Sequence, residues 1–220
     1  MKKEIIYYTD NTLSELLNTK VREQLLKSGI SIISVSLSPI EFGRNIVVEG
    51  KRGYLSMFRQ ILMGLESSDA DVVFFCEHDV LYHPSHFDFT PERNDIYYYN
   101  SNFWKYKPAT GQVVGYKAKL LSQLCAHREI LITHYRKRVK MLEEGSKLKS
   151  EPGTRDGIKD HPTMFWKSKY CNIDIRHGGN LTGIKRFHPS EFRSANGCKE
   201  WRETTIFEID GWNSEHLINI

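Results

Sequence analysis

The residues with the clearest chemical potential are Glu77, His78 and Asp79, which directly follow the apolar run Val72 to Cys76. An apolar run of five residues predicts a buried β-strand, so the acidic triplet stands where such a strand ends. Two carboxylates that flank a histidine in this position suit a hard divalent cation, which in turn can bridge a diphosphate. The triplet therefore predicts a metal site, with Glu77 and Asp79 as ligands.

The neighbouring histidines allow a second interpretation. Imidazole and carboxylate are ordinary zinc ligands, so a hydrolytic zinc site is an alternative, built from His78, Asp79, His83 and His86. The spacing of these residues matches none of the usual zinc signatures, and Pro84 fixes the turn between two of them. We interpret His83 and His86 as structural hydrogen-bonding residues.

The elements that would position the triplet follow from the hydrophobic pattern. Strand and helix alternate in the first third of the chain, in the order Glu4–Tyr8, Thr12–Ser28, Ile30–Leu37, Tyr54–Glu66 and Val72–Cys76. Thr12 and Glu15 have the spacing of a capping box that opens the first helix. This alternation predicts a parallel, doubly wound sheet.

The rest of the chain predicts further strands at Asp95–Asn100, Gly111–Tyr116 and Asn172–Ile175, and a long helix from about Lys117 to Glu144. Arg128 falls on the apolar side of that helix, so we expect it to have a carboxylate partner. Since no repeat or linker divides the 220 residues, we expect a single α/β domain over 1–220. Its architecture would be a three-layer sandwich with a mostly parallel central sheet and a loop-rich C-terminal part.

The parallel topology also predicts a shared crevice. Thr9 and Asp10 follow the first strand as the triplet follows the third, and ligands of open α/β sheets bind beyond the carboxyl ends of the strands. Dinucleotide, P-loop and serine-hydrolase functions have no support, because no GxGxxG, GxxxxGK[ST] or GxSxG motif occurs.

Charge and hydropathy bear on partners and location. The net charge is only +4, yet basic residues are dense between Arg136 and Lys149, which would suit an anionic partner. The apolar run after Lys3 is too short for a signal peptide, and no segment has the roughly 18 apolar residues needed to span a membrane. We therefore expect a cytoplasmic protein, or one in the host cytoplasm if it is viral, with its four cysteines reduced.

Two longer motifs carry a resemblance. A strand–helix–strand–helix–strand run that ends in an acidic triplet resembles the nucleotide-sugar glycosyltransferases of the GT-A fold, whose DxD motif Glu77 to Asp79 would fill. The stretches CEHDVLYHPSHFDF and NIDIRHGGNLTGIKRF, together with EFR, are similar to a family of small glycosyltransferase-like proteins common in bacteriophage and bacterial genomes. The resemblance covers the chain from about Ile5 to Trp212.

This resemblance implies a nucleoside-diphosphate sugar as donor, with a UDP-sugar as the first choice, and Mn²⁺ or Mg²⁺ as the cation. It implies that Asp79 binds the metal, that Glu77 contacts metal or ribose, and that His177 completes the metal shell. Thr9 and Asp10 would hold the nucleotide base, while Gly178 and Gly179 would let the backbone approach phosphate. Arginines that could meet phosphates are Arg59, Arg44 and Arg52.

For an inverting reaction the resemblance implies a general base in the loop after the long helix, where Glu151 is the first choice and Asp156 the second. A retaining mechanism needs no such base. The acceptor could be a hydroxymethylated base in DNA. Residues that could stack on such a base or donate hydrogen bonds to it are Tyr97–Tyr99, Trp104, Trp166 and Arg186. A polysaccharide, lipid or protein acceptor stays open. Alternatives are a metal-dependent hydrolase or nucleotidyltransferase with the same acids, and a non-catalytic nucleic-acid-binding module.

Overall fold

The computed structural model describes residues 1–147, 150–154, 158–180 and 186–218. The strands in these ranges are β1 (Lys3–Thr9), β2 (Ser31–Ser36), β3 (Arg44–Val47), β4 (Val72–Glu77), β5 (Val80–Leu81), β6 (Tyr97–Asn100), β7 (Phe103–Lys107), β8 (Gln112–Gly115), β9 (Leu124–His127), β10 (Thr163–Trp166), β11 (Asn172–Ile175) and β12 (Arg202–Thr204). The helices are α1 (Glu15–Leu26), α2 (Tyr54–Ser67), α3 (Arg128–Glu143) and α4 (Ser214–Ile218).

The central sheet has seven strands in the order β10-β6-β9-β4-β1-β2-β3. Only β9 runs against its neighbours, and the pairs around β1 are parallel. Strand β1 is apolar on both faces, as a parallel sheet covered on both sides requires. The predicted α/β fold with a mostly parallel central sheet is therefore confirmed.

The side chains of β1 divide the protein into layers. Ile5 and Tyr7 pack in one apolar cluster with α1 and with residues of a second sheet, whereas Ile6 and Tyr8 pack in another cluster with α2 and α3. The second sheet has the order β12-β8-β7-β11-β5. Three layers result, with α1 and the second sheet on one face and α2 and α3 on the other.

The second sheet brings a distant part of the chain to the end of β4. Strand β5 begins one residue after Asp79 and pairs antiparallel with β11, so that Val80 lies opposite Asp174. The Asp79 carbonyl accepts a hydrogen bond from the Ile175 amide at 2.8 Å. His177, two residues beyond that amide, is thereby held near Asp79.

The predicted helix from Lys117 to Glu144 is wrong in its first half. Residues Leu124–His127 form β9, and α3 starts only at Arg128. Strand β9 lies between β4 and β6 in the central sheet, and its apolar side chains are buried. Arg128 has the expected carboxylate partner in Glu129, and its Nε also donates to the Leu65 carbonyl at 2.8 Å.

The first helix also starts later than predicted. Ser14 is its N-cap and accepts a hydrogen bond from the Leu17 amide at 3.4 Å. The hydroxyl of Thr12 instead donates to Asp10, at 2.6 Å, so the predicted capping box is wrong. Besides β9, the described strands that were not predicted are β3, β5, β7, β10 and β12. None of the described helices has the length and hydropathy needed to cross a membrane.

Helix α2 lies close against the sheet at Gly64, and this contact gives a stability prediction. A Cβ at Gly64 would lie 2.7 Å from Ile6 Cγ2 and 3.1 Å from Val35 Cγ2. Overpacking of this kind costs about 1–3 kcal/mol, whereas the gain in helix propensity is about 1 kcal/mol. We expect Gly64→Ala to lower the free energy of unfolding in urea, while Met63→Ala, on the exposed side of α2, leaves it nearly unchanged. A Gly64→Ala protein as stable as the parent would contradict this packing.

Candidate active site

The ends of β1 and β4 lie side by side, because the two strands pair in parallel with Tyr8 opposite Glu77. The residues that follow each strand therefore open on one cleft. Its lining comprises Tyr8, Thr9, Asp10, Leu37, Arg52, Gly53, Tyr54, Ser56, Met57, Phe58, Gln60, Glu77, His78, Asp79, Leu121, Arg138, Glu151, Arg176 and Asn180. The predicted shared crevice is present, and it includes the loop that carries Glu151.

His78 is oriented by the end of β1. Its Nδ1 lies 2.7 Å from Thr9 Oγ1 and 3.7 Å from Asp10 Oδ1. The nearby carboxylate favours a proton on Nδ1, and in that tautomer Nε2 carries the lone pair. A histidine whose other ring nitrogen is held in this way is prepared to bind a cation.

Asp79 and His177 complete a cluster with His78. One possible ligand atom from each of the three residues lies within 4.8 Å of the other two. His177 Nε2 is 3.6 Å from Asp79 Oδ2, and Asn180 donates from Nδ2 to the same oxygen at 2.5 Å. Burial alone would raise the pKa of the Asp79 carboxyl, but His177, His78 and Arg176 outweigh it and lower this pKa. Asp79 is therefore anionic at neutral pH.

The donor set fits a divalent cation. Neighbouring ligands of an octahedral ion lie roughly 3 Å apart and opposite ones roughly 4 Å apart, so a small contraction of the cluster would suffice. His177 Nε2 is buried and has no hydrogen-bond partner among the described residues. Since the Gly179 amide donates to His177 Nδ1 at 3.1 Å, binding through Nε2 requires this amide to turn away from the ring.

Glu77 does not belong to this cluster, which differs from the sequence prediction. Its carboxylate is half-buried and accepts a hydrogen bond from the Tyr8 hydroxyl at 2.8 Å. Burial and repulsion from Asp79 raise the pKa of Glu77 above its usual range. The predicted ligands were Glu77, Asp79 and His177, and in the structure His78 takes the place of Glu77.

The phosphate-binding arginine suggested by the sequence is also placed differently. Arg59 is exposed on α2 and pairs with Glu143 of α3 at 2.8 Å, and it is not part of the cleft lining. Arg44 donates to the Ser67 carbonyl. Of these three arginines, Arg52 is the one that lines the cleft, where it donates to the carboxylate of Asp10 and to the carbonyl of Gly179.

The Gly178–Gly179 turn leaves space on one side of the cluster. A Cβ at Gly178 would meet nothing within 4 Å, whereas one at Gly179 would lie 3.2 Å from the His177 ring. A larger side chain at Gly179 would therefore press on a cluster residue. The close approach of a phosphate to the backbone at Gly178 and Gly179 stays a prediction.

The resemblance predicts a nucleoside diphosphate in this cleft, and for that ligand we expect Arg52→Ala to weaken binding at least about tenfold, because a charge-assisted contact contributes about 1.5–3 kcal/mol. The substitution also removes the two hydrogen bonds by which Arg52 links the Asp10 carboxylate to the Gly179 carbonyl. Arg59→Ala is the matched control and should leave the dissociation constant unchanged. Equal losses in the two variants, measured by isothermal titration calorimetry, would contradict this placement.

Glu151 lines the cleft as the sequence predicted, and its side chain is half-buried. Burial raises the pKa of the Glu151 carboxyl above its usual range, which makes it a stronger base than a solvated glutamate. Asp156, the second choice, lies outside the described residues.

The aromatic residues proposed for the acceptor are mostly core. Tyr97, Tyr98 and Tyr99 are buried, and half-buried Trp166 stacks on Phe89 with ring centroids 4.3 Å apart. Half-buried Trp104 lies under the Arg202 guanidinium, and Arg186 lies over Phe192. This part of the sequence prediction is wrong for Tyr97–Tyr99, because β6 is an inner strand of the central sheet.

The structural role predicted for His83 and His86 is confirmed. His86 is fully buried, and its Nδ1 accepts hydrogen bonds from Asn100 and Asn172, each at 3.0 Å. His83 contacts Ser85 and the Tyr170 ring. Neither joins the cluster around Asp79, so the zinc site built from four neighbouring residues does not form among the described residues.

No protein-family model and no curated protein matches the chain. Many solved structures are similar in fold, and three of them are given with their similarity to this chain. The bifunctional IspDF of Campylobacter jejuni is 10% identical, with 77% of this chain and 50% of that one covered and a TM-score of 0.47. The glycosyltransferase GlyE of Streptococcus pneumoniae is 13% identical, with coverage of 74% and 45% and a TM-score of 0.41.

The third is S. aureus TarS 1–349 in complex with UDP-GlcNAc, at 10% identity, with 98% of this chain and 69% of that chain covered and a TM-score of 0.49. The chain spans half or less of the first two structures.

Proposed function

We propose that this protein is a cation-dependent transferase that moves a sugar from a nucleoside-diphosphate sugar to an acceptor hydroxyl. The observation that carries the proposal is the cluster of His78, Asp79 and His177 at the carboxyl edge of parallel strands, of which His78 and Asp79 line one cleft with Glu151. The negative charge of a diphosphate needs a cation to offset it, and an acceptor hydroxyl needs a base. The cleft offers residues for each of these roles.

The cation-binding residues would be His78, Asp79 and His177. A divalent cation bound there would neutralise the charge that develops on the departing diphosphate. Mg²⁺ binds oxygen ligands almost exclusively, so with two imidazoles in the cluster we propose Mn²⁺ in preference to Mg²⁺. Arg52, between Asp10 and the Gly179 carbonyl, would contribute a fixed positive charge on the nucleotide side.

Glu151 is proposed as the general base of an inverting transfer. It would accept the proton of the acceptor hydroxyl while that oxygen forms a bond to the anomeric carbon. The bond from this carbon to the phosphate oxygen breaks, and the nucleoside diphosphate leaves with the electron pair. Its raised pKa suits the role, because a base is most effective when its pKa approaches the working pH.

The structure does not favour a nucleic-acid-binding module. Arg136 pairs with Glu66, and Lys140 pairs with Glu144, so carboxylates offset part of the basic face of α3. Lys149 lies outside the described residues. The hydroxymethylated base in DNA stays a prediction from the resemblance, and the acceptor is not assigned here by any contact.

A panel of sugar nucleotides incubated with the protein and Mn²⁺ tests the proposal. We expect one donor to be consumed with release of its nucleoside diphosphate, and consumption to stop after EDTA treatment. Release of pyrophosphate or of sugar phosphate would instead indicate a nucleotidyltransferase or a hydrolase that uses the same acids. Simple glycans and hydroxymethylated DNA, supplied as acceptors to the active donor, would then identify the acceptor class.

A further inference from the structure

Two buried side chains hold the backbone on either side of Glu151. The Arg138 guanidinium donates to the carbonyl of Ser150, and the Tyr99 hydroxyl donates to the carbonyl of Pro152 at 2.7 Å. Both Arg138 and Tyr99 are fully buried. The peptide group before Glu151 and the one after Pro152 are thus held by α3 and by β6, whereas the Glu151 side chain lines the cleft.

Arg138 is an unusual core residue. Its guanidinium lies 4.7 Å from the ring centroid of Phe58 and 5.5 Å from that of Tyr135, and its Nε has no hydrogen-bond partner within the described part of the chain. It forms no ion pair with any carboxylate described by the structure. A buried charge without a close counter-ion is costly, and an apolar side chain would pack there at lower cost. Packing alone therefore does not account for an arginine at this position.

The charge of Arg138 acts on Glu151. Burial raises the pKa of the Glu151 carboxyl, and Arg138 opposes that rise, as Arg186 and Lys105 also do. The other titratable groups that face Glu151 are Glu77, Tyr54, Tyr99 and Tyr135. A carboxylate in this setting would be protonated more readily without the guanidinium.

We propose that Arg138 and Tyr99 are positioning residues, which fix Glu151 at the cleft by holding the carbonyl groups on both sides of it. This inference rests on the proposed function, in which Glu151 takes a proton from the acceptor. A base displaced by 1 Å can cost about a hundredfold in rate. Arg138 lines the cleft together with Glu151, and the hydrogen bonds of Arg138 and Tyr99 given by the described residues go to the backbone beside Glu151. We therefore expect both residues to act on turnover more than on donor binding.

Tyr99→Phe, which removes one oxygen atom, is the first test. We expect kcat to fall about ten- to a hundredfold, with KM for the donor unchanged. Tyr116→Phe is the matched control, since it removes a hydroxyl that is also buried but has no partner among the described residues. Its kcat should equal that of the parent. Equal kcat values in Tyr99→Phe and the parent would overturn the proposal for Tyr99.

Arg138→Met and Arg138→Lys separate position from charge. Both should lower kcat, because neither side chain reproduces the contact with the Ser150 carbonyl. In Arg138→Met the acid limb of the kcat profile should also move to higher pH, since the cation that keeps Glu151 ionised is gone. Arg138→Lys retains the charge and should shift this limb less. A purely structural arginine would lower the melting temperature of both variants but leave kcat and its pH profile unchanged.

A titration of the Glu151 carboxyl by ¹³C NMR, assigned with Glu151→Gln, needs no turnover. We expect the pKa of Glu151 to be higher in Arg138→Met than in the parent and unchanged in Tyr116→Phe. If no donor is turned over by the parent, the proposed function fails, and this titration still decides whether Arg138 controls Glu151. If Arg138→Met does not fold, Tyr99→Phe and Arg138→Lys carry the test. The same pKa in the parent and in Arg138→Met would overturn the role of the charge.

Discussion

Asp79→Asn is expected to lower cation-dependent binding of a nucleoside diphosphate by at least about a hundredfold, because loss of supporting residues alone costs metal sites about 10–100-fold. Asp79 is the only carboxylate in the cluster with His78 and His177. Asparagine has nearly the same shape, so the change removes the charge and leaves the packing. Isothermal titration calorimetry with UDP in the presence of Mn²⁺ measures the loss.

A matched control for this variant is Asp69→Asn. Asp69 is an exposed aspartate that pairs with Lys2 at the other end of the sheet. Its substitution should leave UDP binding unchanged. If Asp79→Asn binds UDP as tightly as Asp69→Asn does, Asp79 is not a cation ligand.

The second large effect is expected for Glu151→Gln. We expect kcat to fall by about 10²–10⁴-fold, the usual contribution of a general base, while UDP binding in Mn²⁺ stays the same. Glutamine keeps the size of the side chain and removes its ability to accept a proton at neutral pH. Two measurements, kcat from steady-state transfer and affinity from calorimetry, separate the role of a base from that of a ligand-binding residue.

Unchanged turnover in Glu151→Gln would show that Glu151 is not the base. A retaining reaction, which needs no base toward the acceptor, would then be the better account. Analysis of the anomeric configuration of the product distinguishes these outcomes independently of the variant. Loss of both turnover and UDP binding would instead assign Glu151 to ligand binding.

The parts of the fold that were predicted correctly have strong local patterns. Strand β4 is a continuous apolar run, and the apolar positions of α2 recur on one helical face. Their succession predicts a parallel sheet, and a parallel sheet predicts where Thr9, Asp10 and the triplet meet. The location of the cleft was therefore predictable from sequence.

The start of α3 was not predictable in the same way. Apolar residues at 121, 124 and 125 fit a helical face, but they also fit a short buried strand. The decision depends on a partner: β9 fills the space between β4 and β6, which only the folded chain provides. The short strands of the second sheet are hard to predict for the same reason, because each of them pairs with a strand that is distant in the sequence.

The cluster of His78, Asp79 and His177 combines residues that are adjacent in the sequence with one that is distant. His177 lies 98 positions after Asp79, and the pairing of β5 with β11 brings it near. Only the resemblance pointed to it. The sequence suggested His78 only as a zinc ligand. Three consecutive residues at the end of a strand point in different directions, and the sequence does not show which of them face His177. Arg52 and Arg59 are the same residue type, so the sequence gives no reason to prefer either as a phosphate ligand. The structure distinguishes them, because Arg59 on α2 pairs with Glu143 and Arg52 donates to Asp10.

Calorimetric titration of the parent protein with UDP tests the central claim most directly. It is carried out in Mn²⁺, in Mg²⁺ and after treatment with EDTA. We predict measurable binding in Mn²⁺, weaker binding in Mg²⁺ and none in EDTA, because the diphosphate is bound through a cation on His78, Asp79 and His177. Equal affinity in Mn²⁺ and in EDTA would contradict the account.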